Sequence, residues 1–290
     1  MSSKIERVAG LAMKLGLKHL ADYGSCKSRH DFTQQQLMSC LILKAYLKTT
    51  YRGVVDLLEG HAGLRRVLGL GVKLPHYTTL QKFSARQDVL AVADAMIGQI
   101  GVAALRAAGP GAAIAMDATG LETSNASAHF TSRAGGVRRK WKKISLTVVC
   151  GALLPLGLVL GEGPGNDKSQ APELLAKSFD AAEDGGVLPA KLYADAGYDA
   201  DWIHGVCRDV WGVQSWIKPA RARADGTLGG VHRPAMTPRR LKKQGCGRRW
   251  HVESFFSGLK RMTSSALGAR TESNQSKEAA LRVLAYAIHR

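Results

Sequence analysis

Three carboxylates at the ends of predicted elements are the residues whose types and places suit chemistry. Asp117 follows an apolar stretch at residues 113–116, Asp195 follows a second one at 192–194, and Glu253 lies on a predicted helix. Mg²⁺ prefers oxygen ligands, and two such ions can act on both oxygens of a phosphodiester displacement. The sequence therefore indicates a candidate metal site, although a lone aspartate at a strand end more often caps a turn.

The predicted helix around Glu253 separates charged and apolar residues onto two stripes. Arg249, Glu253, Phe256 and Lys260 share one stripe, because they fall at i−4, i, i+3 and i+7. The neighbouring stripe, which can pack on a core, consists of Val252, Phe255, Leu259 and Met262. One carboxylate between two permanent cations suits a metal ligand beside a phosphate. It also suits an ordinary surface helix with charge pairs.

The chain is strongly basic, with 41 Lys and Arg against 23 Asp and Glu and a formal net charge of +18. This imbalance favours a polyanionic partner, with nucleic acid first and an anionic membrane second. One basic run contains an aromatic residue and consists of Arg138, Arg139, Lys140, Trp141, Lys142 and Lys143. Its cations are predicted to contact DNA phosphates while Trp141 stacks on a base or packs on sugar. A solvated hairpin is the alternative.

The cysteines and the apolar stretches exclude several other classes of protein. The five cysteines are scattered and show no C-x-x-C spacing, which argues against a zinc site or a disulfide framework and favours a reducing cytoplasm. No window is predicted to reach a membrane span of roughly 20 apolar residues. The N-terminal stretch reads as an amphipathic helix rather than a signal peptide.

Residues 1–110 are predicted to form an all-helical domain. Thr33 with Gln36, and Thr78 with Gln81, have the spacing of capping boxes, and Thr50 is placed to begin another helix. Short helices with turns and basic residues fit a small DNA-contacting domain. A helical bundle that only packs on the next domain fits equally well.

Residues 111–290 are predicted to form a mixed α/β sheet flanked by helices. Pro172 is placed to open one helix, and Asp199 is placed to cap another. Residues 218–247 are basic and aperiodic, which predicts a loop or small insertion. Strands are predicted near 113–116, 144–150, 153–160, 191–194 and 213–217, and a last helix from about residue 274.

Three blocks of this region, AMDATGLE, LYADAGYDADW and RRWHVESFFSGLKR, resemble bacterial insertion-sequence transposases with a DDE triad. The similarity is to the large group named after insertion sequences four and five, nearest the latter. The third block of that group places an Arg, three residues, a Glu, six residues and a Lys, which Arg249, Glu253 and Lys260 match. The stretches TYRGVVDLLEG, LPHYTTLQKF and GNDKS also look like this group.

The resemblance implies a ribonuclease-H-like fold with Asp117, Asp195 and Glu253 as a catalytic, metal-binding triad. The implied cofactor is two Mg²⁺ ions, for which Mn²⁺ can substitute. The implied reaction is cleavage at insertion-sequence ends followed by strand transfer into target DNA. Arg249 and Lys260 would contact double-stranded DNA. The active protein would be cytoplasmic, associated with the nucleoid and without a membrane, and would form a homodimer or larger assembly when two ends are paired.

Two positions depart from the pattern of this group. Cys246 stands three positions before Arg249, where the group has a Tyr, and Ala287 stands where an Asn is expected. Two alternatives stay open, and these departures motivate the first. One is a DNA-binding protein derived from a transposase that no longer cuts DNA. The other is a ribonuclease-H-like nuclease that acts without strand transfer.

Three further acids compete with the proposed triad. Asp199 lies four residues after Asp195, but it stands where a helix N-cap is needed. Asp167 is interpreted as a turn residue, and Glu122 as a solvated or supporting acid.

Overall fold

The computed structural model describes residues 3–27, 29–123, 141–220 and 226–290. Contacts divide the chain into two compact units, one formed by Met1–Met96 with Leu259–Arg290 and the other by Ile97–Gly258. The first unit therefore takes in the C-terminal residues as well as the N-terminal ones. The predicted division at residue 110 does not include such a return of the chain, and it stays a prediction.

Helices begin and end the chain and alternate with strands in its second half. In chain order they are α1 (Lys4–His19), α2 (Gln34–Tyr46), α3 (Tyr51–Gly60), α4 (Ala62–Val67), α5 (Tyr77–Ala85), α6 (Val89–Ala108), α7 (Ala171–Asp184), α8 (Asp201–Gly205), α9 (Pro238–Lys243), α10 (Trp250–Thr263) and α11 (Glu272–His289). Helix α9 lies within residues 218–247, which the sequence predicts to be a loop or small insertion. Its first residue is Pro238, and the Thr237 side chain caps it by accepting from the Arg240 amide at 3.4 Å.

Five strands form one mixed sheet in the second unit. They are β1 (Ala113–Glu122), β2 (Trp141–Val149), β3 (Leu154–Gly163), β4 (Lys191–Ala194) and β5 (Gln214–Ile217). Their order across the sheet is β3-β2-β1-β4-β5. The pairs β3·β2 and β2·β1 are antiparallel, whereas β1·β4 and β4·β5 are parallel. The predicted mixed α/β sheet is thus confirmed.

Strand β1 is longer than the sequence pattern predicts. The apolar pattern predicts a strand near residues 113–116, with Asp117 directly after it. The strand instead runs to Glu122, because β2 pairs with it along its full length, from Ile114 opposite Val149 to Glu122 opposite Trp141. Asp117 therefore lies within a strand. Pairing with β2 has extended the strand beyond its apolar residues.

Apolar side chains cover both faces of the sheet. One face packs against α6, α7 and α8 in a cluster that includes Leu105, Met116 and Phe179. On the other face Tyr193 and Trp216 pack with residues of the segment that contains α9. The sheet is therefore a middle layer, which explains why its central strands are almost continuously apolar.

Helix starts in the first unit test the capping predictions directly. Thr33 caps α2 in a complete capping box with Gln36, and Thr50 caps α3 by accepting from the Gly53 amide at 3.0 Å. The prediction for Thr78 is wrong. Helix α5 starts at Tyr77 with His76 at its N-cap, two residues before the predicted cap, and Thr78 hydrogen-bonds the His76 ring at 2.8 Å.

Helix α6 is long and apolar enough to cross a membrane by length and composition. This corrects the prediction that no stretch reaches that length. Half of its most apolar window is buried inside the structure, as in the core helix of a globular unit. The helix includes two glycines, Gly98 and Gly101, that face close neighbours.

Replacing Gly101 with alanine is expected to destabilise the second unit. A Cβ atom there would lie 2.4 Å from Leu156 Cα and 2.6 Å from the Pro155 carbonyl oxygen, so backbone would have to move. Overpacking of this kind costs about 1–3 kcal/mol of unfolding free energy, which urea titration would measure. Gly98→Ala is the matched control, because its nearest neighbour would be the Ala181 Cβ atom at 3.4 Å. Equal stability of the two variants would contradict this account.

Candidate active site

Strand pairing brings Asp117 and Asp195 together. In the parallel pair β1·β4, the last matched residues are Met116 and Ala194. Each aspartate follows directly, so both lie where the parallel pairing ends. This register, rather than a strand end at Asp117, is the physical reason that the two carboxylates meet.

The turn after β4 fixes the Asp195 side chain. Its Oδ1 atom accepts a hydrogen bond from the Gly197 amide at 2.7 Å and caps the 3₁₀ turn Ala196–Tyr198. A Cβ atom on residue 197 would lie only 2.8 Å from that oxygen. Glycine is thus needed at this position for the carboxylate to keep its place.

Glu253 lies in the first turn of α10, and its side chain is 51% exposed. The predicted apolar stripe is buried at Val252, Phe255 and Leu259. Phe256 is also buried, so it does not belong to the charged stripe to which periodicity assigned it. The buried side chains hold the helix, while Glu253 stays accessible beside the sheet edge.

Arg249 connects two of the carboxylates. It belongs to the 3₁₀ turn Cys246–Arg249 that precedes α10. One guanidinium nitrogen lies 2.5 Å from Glu253 Oε1, and the other lies 3.4 Å from Asp117 Oδ2. Arg249 therefore supplies positive charge between a strand and a helix.

The pKa of Asp117 is affected by burial and by the charges around it. Burial raises this pKa from 3.8 to about 6. The Ala118 amide, which donates to Asp117 Oδ1 at 2.8 Å, and the Arg249 guanidinium both lower it, whereas the charges of Asp195 and Glu253 raise it. The three predicted acids therefore act on one another. Their combined negative charge is only partly balanced by Arg249.

These acids do not form a closed metal site as they stand. Among the described residues, no three His, Cys, Asp or Glu side chains are placed as a ready set of ligands. Arg249 instead bridges Asp117 and Glu253. The donor set is nevertheless chemically suitable for a hard divalent cation, because it consists of carboxylate oxygens with unbalanced charge.

Comparison with protein-family models gives one match, to the transposase DDE domain, over residues 109–288. The match covers more than half of the chain. This chain belongs to the DDE transposase family. Domains of this family act on DNA and generally use divalent metal ions. A comparison with curated proteins finds no match.

The basic run of this DDE transposase differs from a solvated hairpin where it is described. Arg138, Arg139 and Lys140 lie outside the described residues. The side chains of Lys142 and Lys143 are only 2% and 7% exposed, and they pair with Glu162 and Asp167. The Trp141 indole lies against Gly120 and Gly163 of the neighbouring strands. In this structure Trp141, Lys142 and Lys143 thus support the sheet.

Asp199 does not cap helix α8, contrary to the prediction. Helix α8 has Ala200 at its N-cap, and Asp199 instead accepts from the Ala220 amide at 2.9 Å and from two Arg233 nitrogens at 2.6 and 2.8 Å. Burial would raise the pKa of Asp199, but these hydrogen bonds hold it below its usual range. Asp201 accepts from the amides of residues 231–233. Both acids thus fasten the segment after β5.

The structure also places Cys246, Lys260 and Glu122, which the sequence analysis singles out. Cys246 is half-buried, with Sγ 3.6 Å from the Trp216 carbonyl oxygen, and burial raises its pKa. Lys260 lies on α10 but in the other compact unit. Glu122 is exposed at the end of β1. The contact of Arg249 with Asp117 had no signal in the sequence, because 132 residues separate them.

The raised pKa of Asp117 predicts a pH-dependent loss of stability without metal. The folded-state pKa of about 6 lies above the unfolded value of 3.8, so the folded protein holds the proton more tightly. The contribution of Asp117 to stability is full below about pH 4 and is lost as pH rises through 6. The loss is about 2–3 kcal/mol.

Asp117→Asn removes this titration, so the variant should be more stable than the parent above pH 6 in EDTA. Urea titrations from pH 4 to 7 would measure the difference. Asp180→Asn is the control, because Asp180 is an exposed residue of α7 and should leave the slope unchanged. Parallel pH profiles for the parent and Asp117→Asn would contradict the assignment.

Proposed function

We propose that this DDE transposase cleaves DNA at insertion-sequence ends and joins the released ends to target DNA. Asp117, Asp195 and Glu253 are its proposed metal-binding triad. The observation that carries the proposal is the mutual influence of these three acids within the region that matches the family. They come from β1, the turn after β4 and the start of α10.

The proposed cofactor is two Mg²⁺ ions, which Mn²⁺ can replace. When bound, such ions supply Lewis acidity to both the attacking and the leaving oxygen of the phosphodiester. The chain's own part is to hold them with carboxylates on rigid elements. A cation would also balance the negative charge that raises the pKa of Asp117.

Arg249 is proposed to change partners during the reaction. In this structure it pairs with Asp117 and Glu253. A phosphate is a better bidentate partner for a guanidinium than two separate carboxylates at unequal distances. DNA would therefore draw Arg249 toward its backbone and leave the carboxylates to cations. Lys260 is proposed as a further phosphate contact.

The wider proposal follows the sequence resemblance. It includes a ribonuclease-H-like fold for the sheet domain, a place in the group of insertion sequences four and five, and DNA binding by the N-terminal helices. Arg138, Arg139 and Lys140 remain proposed DNA contacts. Pairing of two ends would require at least a homodimer, and the protein would act in the cytoplasm on nucleoid DNA.

The triad is tested with the DNA that flanks the chain's own coding region. The parent should cleave it with Mg²⁺ or Mn²⁺ and not in EDTA. Asp117→Ala, Asp195→Ala and Glu253→Ala should each lower the rate at least about 100-fold, because several kcal/mol of charge stabilisation are lost. Asp184→Ala, an exposed acid at the end of α7, should cleave like the parent.

Products separate the competing functions. Joined products support transposition, cleavage without joining indicates a nuclease, and specific binding without metal-dependent cleavage indicates a derived DNA-binding protein. Unchanged cleavage in all three alanine variants would contradict the assignment of the triad.

Arg249→Ala should bind Mn²⁺ more tightly than the parent when DNA is absent. The substitution removes a positive charge from the carboxylates, an effect of at least about 5-fold even at the dielectric constant of water. Its cleavage rate should fall, because the proposed phosphate contact is lost. Calorimetric titration with Mn²⁺ measures the first effect, with Arg239→Ala as an exposed control. Weaker Mn²⁺ binding would count against a competing role for Arg249.

A further inference from the structure

A fourth carboxylate, Asp167, lies beside the candidate triad. It opens the 3₁₀ turn Asp167–Gln170 between β3 and α7. Its Oδ1 atom pairs with the Lys143 ammonium. Its Oδ2 atom lies 3.4 Å from where a Cβ atom of Gly197 would be. One oxygen is thus held by Lys143, and the other is directed at the turn that follows Asp195.

Lys143 is built to orient this carboxylate. Its side chain is 7% exposed, and its ammonium also donates to the Gly165 carbonyl oxygen at 3.0 Å. A buried ammonium needs such partners, since an unpaired buried charge is costly. The pair adds carboxylate oxygen to this edge of the sheet without adding net negative charge.

Asp167 and Asp195 approach the same glycine. A Cβ atom on Gly197 would lie 2.8 Å from Asp195 Oδ1 and 3.4 Å from Asp167 Oδ2. The two carboxylates therefore lie next to each other across a residue that has no side chain. The 3₁₀ turns that carry them are in contact.

A buried hydroxyl without a partner points to the same place. The side chain of Tyr198 is fully buried, and its hydroxyl has no hydrogen-bond partner among the described residues. Ser145 lies close enough to lower the pKa of Tyr198, but its own hydroxyl donates to Gln170 at 2.7 Å. Burial raises the pKa of Tyr198, and the charges of Asp167, Asp117 and Asp195 raise it further.

A buried hydroxyl without a partner destabilises the fold, because its lost hydration is not replaced. The charges of all three aspartates act on the Tyr198 hydroxyl, so a ligand bound among them would give it an acceptor. The lack of a partner at this hydroxyl is observed separately from the positions of the acids.

We propose that Asp167, oriented by Lys143, is a positioning residue for the divalent cation held by Asp195, with the Tyr198 hydroxyl completing the same polar pocket. The ligand is a hydrated divalent cation, whose water molecules can donate to Asp167 Oδ2 and accept from Tyr198. The inference rests on the proposed function, because it requires a cation at Asp195.

The test is calorimetric titration of the full chain with Mn²⁺ in the absence of DNA. Asp167→Asn keeps the shape of the side chain but removes its charge. It should bind Mn²⁺ at least about 10-fold more weakly, as is typical when a partner of a metal ligand is removed. Asp167→Glu should recover part of the affinity. Asp195→Asn should lose binding altogether, and Asp180→Asn, on the exposed face of α7, should match the parent.

Two further measurements separate positioning from folding. Binding of the flanking DNA in EDTA should be equal for the parent and Asp167→Asn. If the single variant fails to fold because Lys143 loses its partner, the double variant Lys143→Met/Asp167→Asn removes both charges. It should show the same loss of Mn²⁺ affinity.

The outcomes are distinct. Parent-like Mn²⁺ affinity in Asp167→Asn, with loss in Asp195→Asn, overturns the role of Asp167 and leaves the proposed function standing. Failure of the parent itself to bind Mn²⁺ overturns both.

Discussion

Repulsion among carboxylates is the constraint on which the rest of this site depends. Burial raises the pKa of Asp117, and the charges of Asp195 and Glu253 raise it further. Folding must hold these like charges together without a cation, and Arg249 is the counter-charge that the chain provides. A single guanidinium does not balance three acids. The metal-free protein therefore carries an electrostatic cost that a divalent cation would relieve.

The mixed sheet supplies the geometry that this charge cluster needs. The parallel neighbour β4 ends its pairing opposite Met116, while the antiparallel neighbour β2 continues to Glu122. Asp117 is thus held by a strand on one side and open toward Asp195 on the other. A slip of one residue in the β1·β4 register would turn Asp117 to the opposite face of the sheet. The register is fixed by the apolar clusters on both faces.

Much of this arrangement was predictable from the sequence. The order of elements, the strand before Asp195 and the caps at Thr33 and Thr50 follow from local patterns, because periodicity and capping depend on neighbouring residues. The length of β1 was not predictable, since it depends on a partner strand. The same limit explains the errors at Thr78 and Asp199. Both residues are of a type that caps helices, but in the structure their side chains hydrogen-bond other groups.

In the candidate site, too, some features could be predicted from the sequence and others could not. The three triad acids were predicted from residue type and place, and from the resemblance. The burial of Lys142 and Lys143 was not, because a basic run gives no sign that acids on another strand and turn will enclose it. The pairing of Lys143 with Asp167 joins residues 24 positions apart, which no sequence period encodes.

The attachments of Asp199 and Asp201 set a length requirement on the chain between β4 and α8. Asp195 belongs to the candidate site, while Asp199 and Asp201 fasten Arg233 and the amides around it. The seven residues from 195 to 201 therefore fix the spacing between the candidate site and the segment around Arg233. Adding or deleting one residue there would misplace one end or the other.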